Sequence, residues 1–204
     1  MKESNILLEI IKKRRSVRHF DGRKIPDECM EQILDAGRWA PSGANAQPWR
    51  FIVVTGKEKL AALAERCYYK AFKSRHVGEA GAAVVVCADP GAGSRTYIID
   101  ASIAGANMTL MATSLGIGSC WIGAFEEPAV RSILHIPPNL KLIALIAFGY
   151  EIGKASVPPR LPLSTIVHHE TFDSTGEPGA ITKMMKSGSL SVIGKLLRVL
   201  INKR

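Results

Sequence analysis

The sequence predicts an α+β sandwich, in which helices wrap a central sheet of about five short strands. Three largely apolar runs have the length of buried strands, and they cover residues 50–55, 82–88 and 142–148. Helical patterns separate these runs at irregular intervals, without the constant period of a doubly wound parallel sheet.

Three helices are predicted in the amino-terminal half. The first begins at Ser4, and its apolar stripe is followed by two lysines that favour the carboxyl end of a helix. The second begins after Pro26, repeats apolar residues at the spacing of one helix face and ends before Pro41. The third covers residues 58–73 and is more polar.

The longest predicted helix, residues 98–115, is apolar on two opposite faces. A helix of this kind must be buried on both sides, so we predict a homodimer with this helix at or near the interface. Asp100 and Asn107 within it, and the lack of aromatic anchors at its ends, argue against a membrane span. The G-x-G at residues 116–118 follows a helix and leads into a strand, which is the wrong order for a dinucleotide fingerprint.

The chain after residue 115 adds a short predicted helix and two further strands besides the apolar run at residues 142–148. The helix covers residues 127–134, and the segment after the G-x-G leads into a strand. Residues 158–162 contain three prolines and must be extended. The fifth strand, at residues 164–168, is then predicted at an edge of the sheet.

The composition describes a globular, basic protein. The chain has 204 residues, 47% of them hydrophobic, and a net charge of +9, and it lacks the motifs of zinc-finger, RNA-recognition and helix-turn-helix proteins, so we expect no nucleic-acid partner. Its four cysteines are far apart in sequence, which predicts buried thiols in a reducing compartment rather than a metal site. The amino terminus does not resemble a secretion signal, so a cytoplasmic location is expected.

Two segments indicate a bound cofactor that is both planar and phosphorylated. Arg14, Arg15 and Arg18 lie within five residues at the end of the first helix, and guanidinium groups suit a phosphate. The loop of residues 41–49 combines prolines, a glycine and short polar side chains, which can lie flat against a planar ligand. Without the second segment, the arginines would be interpreted as a solvated helix end.

These segments resemble the nitroreductase family of FMN-dependent oxidoreductases, and the resemblance extends from about residue 6 to residue 169. The resemblance implies a mixed, mainly antiparallel sheet and an intertwined homodimer with two FMN sites at its interface. Four motifs in this order carry it: R-R-S-V-R-x-F, A-P-S-G-A-N-x-Q-P-W, G-I-G-S-C-W-I-G-A-F and P-R-x-P-L-x-x-I-V-H.

The same resemblance implies which residues bind the phosphate and the pyrimidine side of the flavin. Arg14 and Ser16 would hold the FMN phosphate, with Arg15 alongside. Arg18 would reach N1 and O2 of the isoalloxazine ring. Arg160 would return to the phosphate from the carboxy-terminal arm.

Two further segments are implied to contact the ring. Pro41, Ser42 and Asn45 of the partner chain would line one side of it. The backbone beside the reactive edge, with one N–H facing N5, would belong to Ile122, Gly123 and Ala124.

The chain departs from the family pattern at two positions. Pro158 stands where the family often has a second basic residue, which would weaken phosphate binding. The loop near N5 reads Gly-Ala-Phe instead of the common Gly-Gly-Phe, a change that barely affects a backbone donor.

The resemblance implies an enzyme that takes hydride from NADH or NADPH and reduces a small aromatic, nitro or quinone-like acceptor by a ping-pong cycle. The flavin carries the electrons, so we assign no catalytic side chain, and we expect no metal. His168 and His169 are predicted at the surface because adjacent strand residues point to opposite faces. Two alternatives stay open: a flavin-cleaving enzyme of the same fold, and a non-enzymatic FMN-binding module.

Several aromatic residues are open to two interpretations. Trp49 is assigned to core packing, whereas Trp121 could belong to the core or to the pocket. Tyr68, Tyr69 and Phe72 could cover the substrate as a lid or pack along one helix face.

The chain is divided into a nitroreductase-like FMN-binding domain at residues 1–170 and an extension at residues 171–204. The extension contains a basic amphipathic helix, with apolar residues from Leu190 to Ile201 on one face. We expect this helix to dock on the dimer. The alternative is contact with a membrane surface or an acidic partner.

Overall fold

The computed structural model describes residues 4–69, 72–153, 155 and 157–172. The chain divides after Ala155 into two units, and each is described by itself. The helix predicted between Leu190 and Ile201 lies outside the described residues.

Helices account for much of the described chain. Four of them confirm predicted helices, and their ends differ from the predicted ends by about two residues or fewer. The exception in the first half is the third helix, which ends early. The helices of the first unit are α1 (Ser4–Lys13), α2 (Asp27–Arg38), α3 (Lys57–Ala64), α4 (His76–Glu79), α5 (Tyr97–Ser114) and α6 (Glu127–Leu134). A single-turn helix, α7 (Leu163–Ile166), belongs to the second unit.

The described strands form a four-stranded sheet and a separate hairpin. The strands are β1 (Trp49–Val54), β2 (Tyr68–Tyr69), β3 (Phe72–Lys73), β4 (Ala82–Ala88), β5 (Gly118–Ile122) and β6 (Lys141–Gly149). The sheet has the order β1-β4-β6-β5, with every neighbouring pair antiparallel, so β1 and β5 are its two edges. The predicted α+β class and mainly antiparallel sheet are confirmed.

Both faces of the sheet are covered by helices, so nearly all residues of its central strands are apolar. All seven residues of β4 are buried. Val84 packs on one face in a cluster with Met108 of α5, and Val85 packs on the other face with Leu63 of α3. Two apolar layers, one on each side of a single sheet, therefore form the core.

The prediction of a fifth strand at residues 164–168 is wrong. A helical turn, α7, stands there instead and follows Pro162, whose φ of −58° and ψ of 146° lead into it. The N–H of Thr165 donates to the carbonyl of Pro162 at 3.0 Å, and that of Val167 donates to Leu163 at 2.9 Å. These local hydrogen bonds satisfy the backbone without a neighbouring strand.

The predicted helix at residues 58–73 is only half correct. Helix α3 ends at Ala64, and the β2–β3 hairpin follows it. Leu60, Leu63 and Ala64 place the apolar face of α3 on the core, and Cys67 then forms an isolated antiparallel bridge with Phe125. Pairing with a segment distant in sequence thus replaces the helix, which a local pattern does not reveal.

Helix α5 packs across the sheet, and a glycine of the helix lies at the point of contact. A Cβ atom on Gly105 would lie 2.5 Å from Cζ3 of Trp121, so only glycine lets the indole lie against the helix. The stripe that contains Met108 and Ala112 is buried, but Ile99 on the opposite stripe is 58% exposed. One apolar face of α5 therefore has no cover within the described chain. No helix in the described ranges is both long and apolar enough to span a bilayer.

Candidate functional site

The arginine-rich segment runs as extended chain along the outer edge of β5. The N–H of Val17 donates to the carbonyl of Ser119 at 2.9 Å, and Ser16 forms an isolated parallel bridge with the same residue. Val17 is 3% exposed, and a Cβ on Gly118 would come within 2.8 Å of its Cγ2 atom. A glycine in β5 thus lets the segment dock closely on the sheet.

Because Val17 points into the core, Ser16 and Arg18 extend from the opposite side of this segment. Burial raises the pKa of the Cys120 thiol, and the charges of Arg18 and Arg14 act against that shift. Arg14 and Arg18 lie within five residues of each other on the segment that is bonded to β5, so both guanidinium groups belong to this edge of the sheet. Their combined charge makes this edge of the sheet suitable for an anion.

The structure gives Arg15 a different position. Its guanidinium donates to the carbonyl of Arg14 at 2.8 Å and also to that of Lys12. Those carbonyls belong to the end of α1, where the last C=O groups of a helix lack intrahelical partners. The side chain of Arg15 thus stabilises the helix end, while Arg14 and Arg18 flank the extended segment.

The loop after β5 exposes backbone at the far end of the same edge. Ile122 is 4% exposed and closes the strand, whereas Gly123 and Ala124 are exposed. The N–H of Tyr68 donates to the carbonyl of Ala124 at 2.9 Å, and the N–H of Glu126 donates to that of Arg66 at 2.8 Å. The loop is therefore held by the segment that leads into the β2–β3 hairpin.

The arginine segment and this loop lie at the two ends of one strand. Gly123 lies four positions after Ser119, which corresponds to about 13 Å along a strand. A ligand with an anionic group at one end and a planar group at the other could contact both. The site residues predicted in these two segments are brought together by β5.

The loop that precedes β1 has an unusual backbone. Ala44, Asn45 and Gln47 have φ values of 52°, 54° and 46°, in the left-handed region that costs a residue other than glycine roughly 1 kcal/mol or more. Inside the loop, the N–H of Asn45 donates to the carbonyl of Ser42 at 3.1 Å, and the N–H of Gln47 donates to Oγ of Ser42 at 3.0 Å. Pro41 and Asn45 are exposed and Ser42 is half-buried.

Within a single chain, this loop does not lie beside the arginine segment. The loop leads into β1, at one edge of the sheet, and the arginines lie along β5, at the other edge. Three strand spacings separate the two edges, about 14 Å. The three residues predicted to line the ring therefore lie across the sheet from the residues predicted to hold the phosphate.

Arg160 belongs to the second unit. Its guanidinium donates to the carbonyl of Pro158 at 3.1 Å and to that of Pro159 at 3.3 Å. It is exposed, in extended chain between prolines.

The residues that could form a lid or pack along one helix face lie on a hairpin instead of a helix. Tyr68 is half-buried at the base of the hairpin, and Phe72 on β3 is 59% exposed. Lys73 of β3 pairs with Glu65, which precedes the hairpin. Trp121 is 38% exposed beside Gly105, so it lies partly in the core and partly at the surface, whereas Trp49 is 7% exposed and packs in the core as predicted.

Three of the four thiols are buried, and burial raises their pKa values, to about 12 for Cys67 and about 11 for Cys87. Cys29 is half-buried, and the described cysteines form no disulfide. Within the described ranges, no cluster of three or more histidine, cysteine or carboxylate groups could hold a metal ion.

Asp100 is a residue whose role sequence reasoning missed. The sequence shows Asp100 only as a polar residue in an apolar helix, yet it is 4% exposed and bonded to the loop that precedes β1. The available signal was a carboxylate in the first turn of α5, preceded at short range by the hydroxyls of Ser94 and Thr96.

Comparison with known proteins identifies a family whose sequence model the chain matches. Residues 11–79 and 68–150 match the sequence model of a family described as the nitroreductase family. A protein of Archaeoglobus fulgidus, provisionally named NADH dehydrogenase/NAD(P)H nitroreductase, is 39% identical over 150 residues, covering 70% of this chain and 84% of that protein. The NADPH-flavin oxidoreductase of Vibrio harveyi is 29% identical over 184 residues, covering 82% and 75% of the two chains. The solved structure of an FMN-dependent nitroreductase from Clostridium difficile R20291 has a TM-score of 0.73 at 30% identity and covers 81% of this chain and 99% of that one.

Proposed function

The chain belongs to the nitroreductase family, and we propose that it takes hydride from NADH or NADPH with the help of FMN and reduces a small aromatic, nitro or quinone-like acceptor by a ping-pong cycle. When bound, FMN supplies the atom that accepts and then donates hydride. The observation that carries the proposal is the docking of the arginine segment on β5, at whose far end the backbone of Gly123 and Ala124 is exposed.

The residues present fit an FMN molecule. Arg14 and Ser16 offer a cation and a hydroxyl for the phosphate, and charge-assisted hydrogen bonds of this kind are strong. Arg18, two residues further along the extended segment, is assigned to N1 and O2 of the ring. Arg160 is proposed as a further phosphate contact, with Arg15 alongside the site at the end of α1.

The contribution of the protein is to bind, orient and stabilise charge. With FMN bound, the guanidinium of Arg18 would stabilise negative charge at N1 and O2 of the ring, which is preorganised electrostatics rather than proton transfer. The backbone of Ile122, Gly123 and Ala124 would orient the ring through an N–H directed at N5. No side chain is proposed as a general acid or nucleophile.

The aromatic surface beside the loop supports a planar acceptor. Trp121 and Phe72 expose ring surface near the β5 loop and on the hairpin that is bonded to it. Aromatic rings stack with planar ligands in offset geometry. A nitroaromatic or a quinone therefore suits the surface better than an aliphatic substrate.

We also propose that the site is completed by a second copy of the chain, with Pro41, Ser42 and Asn45 of one copy lining the flavin of the other. Their separation from the arginine segment by the width of the sheet supports this arrangement. So do the apolar side chains that α1 and the start of α5 leave exposed among the described residues, because monomers rarely expose large apolar patches. These side chains are Ile6, Leu7, Leu8, Ile11, Ile98 and Ile99.

A spectroscopic experiment tests the redox proposal. Purified protein should be yellow, should lose the flavin absorbance on anaerobic addition of NADH or NADPH, and should regain it with a nitroaromatic or a quinone. Lys24→Ala, at a side chain 67% exposed and paired with Asp27, serves as a charge control and should behave as wild type. Bound flavin that neither nicotinamide reduces would indicate a binding module, and oxygen-dependent loss of the chromophore would indicate a flavin-cleaving enzyme.

A mixed dimer tests the shared site. One copy carries Arg14→Ala and the other Asn45→Trp, and the two are co-expressed with different tags so that the mixed dimer can be isolated. If each site takes residues from both copies, one site of the mixed dimer is intact and the other has both defects, so the dimer should bind one FMN. If each site lies within one copy, neither is intact, and the mixed dimer should bind no more FMN than the single variants.

A further inference from the structure

Asp100 connects the amino-terminal turn of α5 to the loop of residues 41–47. Its Oδ2 atom accepts from Oγ of Ser94 at 2.6 Å and from the backbone N–H of Gly43 at 3.3 Å. Its Oδ1 atom accepts from Oγ1 of Thr96 at 3.0 Å. Two hydroxyls and one loop N–H thus converge on a single carboxylate.

This carboxylate is buried in a way that requires an explanation. Asp100 is 4% exposed and Ser94 is 5% exposed, and no ion pair among the described residues involves Asp100. Burying a carboxylate without a cation is costly unless hydrogen bonds compensate. The early position in α5 helps, since an anion is favourable near a helix amino terminus. The remaining compensation comes from the hydroxyls and from the loop itself.

The loop depends on that contact. Three of its residues have left-handed φ values, and such a conformation persists only where the surroundings fix it. Gly43 fits closely against the cluster, because a Cβ on it would lie 3.1 Å from both Oγ of Ser94 and Oγ1 of Thr96. The loop is therefore attached to α5 at one glycine, both by a hydrogen bond and by close packing.

We propose that Asp100 is a positioning residue for FMN, which acts through Gly43 to hold Ser42 and Asn45 in the arrangement that the flavin ring requires. The inference rests on the proposed function, because it takes this loop as one side of the flavin site. Asp100 itself does not touch the ring. In the proposed dimer it positions the loop that lines the flavin of the other copy.

FMN titration of the apo form of the full chain tests the proposal, with quenching of flavin fluorescence as the readout. Asp100→Asn should raise the Kd for FMN about tenfold, the size expected for one disturbed hydrogen bond to a charged group. Gly43→Ala leaves the carboxylate in place but pushes the loop away from the hydroxyls, and it should weaken FMN binding in the same direction. This second variant keeps the test valid if Asp100→Asn fails to fold.

Asp21→Asn is the control. Asp21 also accepts from a backbone N–H, that of Arg23 at 3.0 Å, and from Nε of the same arginine at 2.6 Å, and both residues precede α2, outside the loop. Its loss should leave the Kd for FMN unchanged. If the substitutions acted only through a general loss of stability, the melting temperatures would fall. Asp100→Asn, Gly43→Ala and the control would then not differ in their affinity for FMN.

A double-mutant cycle separates positioning from a merely structural role. If Asp100 acts through the loop, Asp100→Asn combined with Asn45→Ala should raise the Kd for FMN by less than the product of the two single effects. Independent effects, or an unchanged Kd in Asp100→Asn and Gly43→Ala, would overturn the proposal. A wild-type protein that does not bind FMN would overturn the proposed function, whereas normal wild-type binding with unaffected variants overturns only the role of Asp100.

Discussion

Arg14 and Arg18 extend from one short segment, yet we expect them to act on different parts of FMN. Arg14→Ala removes a charge-assisted contact to phosphate and should weaken FMN binding by about 2 kcal/mol, or roughly 30-fold in Kd. Equilibrium dialysis of the apo protein measures this. Retention of FMN at the wild-type level would contradict the phosphate assignment.

Arg18→Ala should change the redox properties instead. Without the guanidinium near N1 and O2, the reduced flavin loses stabilisation, so the reduction potential should become more negative, by about 30 mV for each 1.4 kcal/mol lost. Titration against a reference dye measures the potential. An unchanged potential, with FMN still bound, would contradict the position assigned to Arg18.

His76 should make the stability of the protein depend on pH. It is 9% exposed, and burial lowers its pKa from 6.5 to about 4, with a further contribution from the charges of Arg18 and His19. The pKa of His76 is lower in the folded state than in the unfolded state. The contribution of its neutral imidazole to the free energy of unfolding is therefore fully present above pH 6.5 and is lost as the pH falls towards 4. The loss should reach about 3 kcal/mol.

The comparison of wild type with His76→Phe isolates this contribution from that of the carboxylates. Nε2 of His76 is buried without a hydrogen-bond partner among the described residues, and the ring lies 6.4 Å from that of Phe20, so an apolar ring should be accepted. Urea unfolding at pH 7 and pH 4.5 should show a smaller decrease in the free energy of unfolding for the variant. An equal decrease in both proteins would show that His76 is not the cause.

At the scale of elements, the crossing of α5 over the sheet depends on a small residue. Gly105→Ala would place a methyl group 2.5 Å from a rigid indole, so the free energy of unfolding should fall by about 1 to 3 kcal/mol. Gly78→Ala is the control, because this helical glycine has its nearest contact at 3.5 Å, and it should be neutral or stabilising. Equal effects of the two substitutions on urea unfolding would contradict the steric argument.

The elements that the sequence predicted well are those with a continuous pattern. Strand β4 and helices α2, α5 and α6 have apolar residues in an unbroken run or at helical spacing, and their bounds agree with the prediction. The β2–β3 hairpin was missed because its position depends on bonds from Tyr68 to Ala124 and from Glu126 to Arg66, which join segments far apart in sequence. For the candidate site, the sequence groups the residues by motif. It does not reveal that the Arg15 side chain turns towards α1, or that Gly43 is attached to Asp100.

At the scale of the whole molecule, we expect the exposed apolar side chains of α1 and α5 to decide the oligomeric state. Ile99→Glu should dissociate the proposed dimer and reduce FMN binding, because each proposed site needs both copies. Ile152→Glu is a control with the same 58% exposure outside the two helices, and it should stay dimeric. Light scattering after gel filtration measures the mass, and a dimeric Ile99→Glu protein would place the interface elsewhere.

The reactivity of the buried thiols can report when the core of the folded chain opens. A disulfide reagent needs the thiolate, and three of the four sulfurs combine a raised pKa with almost no contact with water. In the native protein Cys29 alone should react promptly, and the remaining three should be modified only as fast as the core around them unfolds. The rate of that slow labelling, followed with and without FMN, would report how strongly the cofactor keeps the core closed, without any engineered probe.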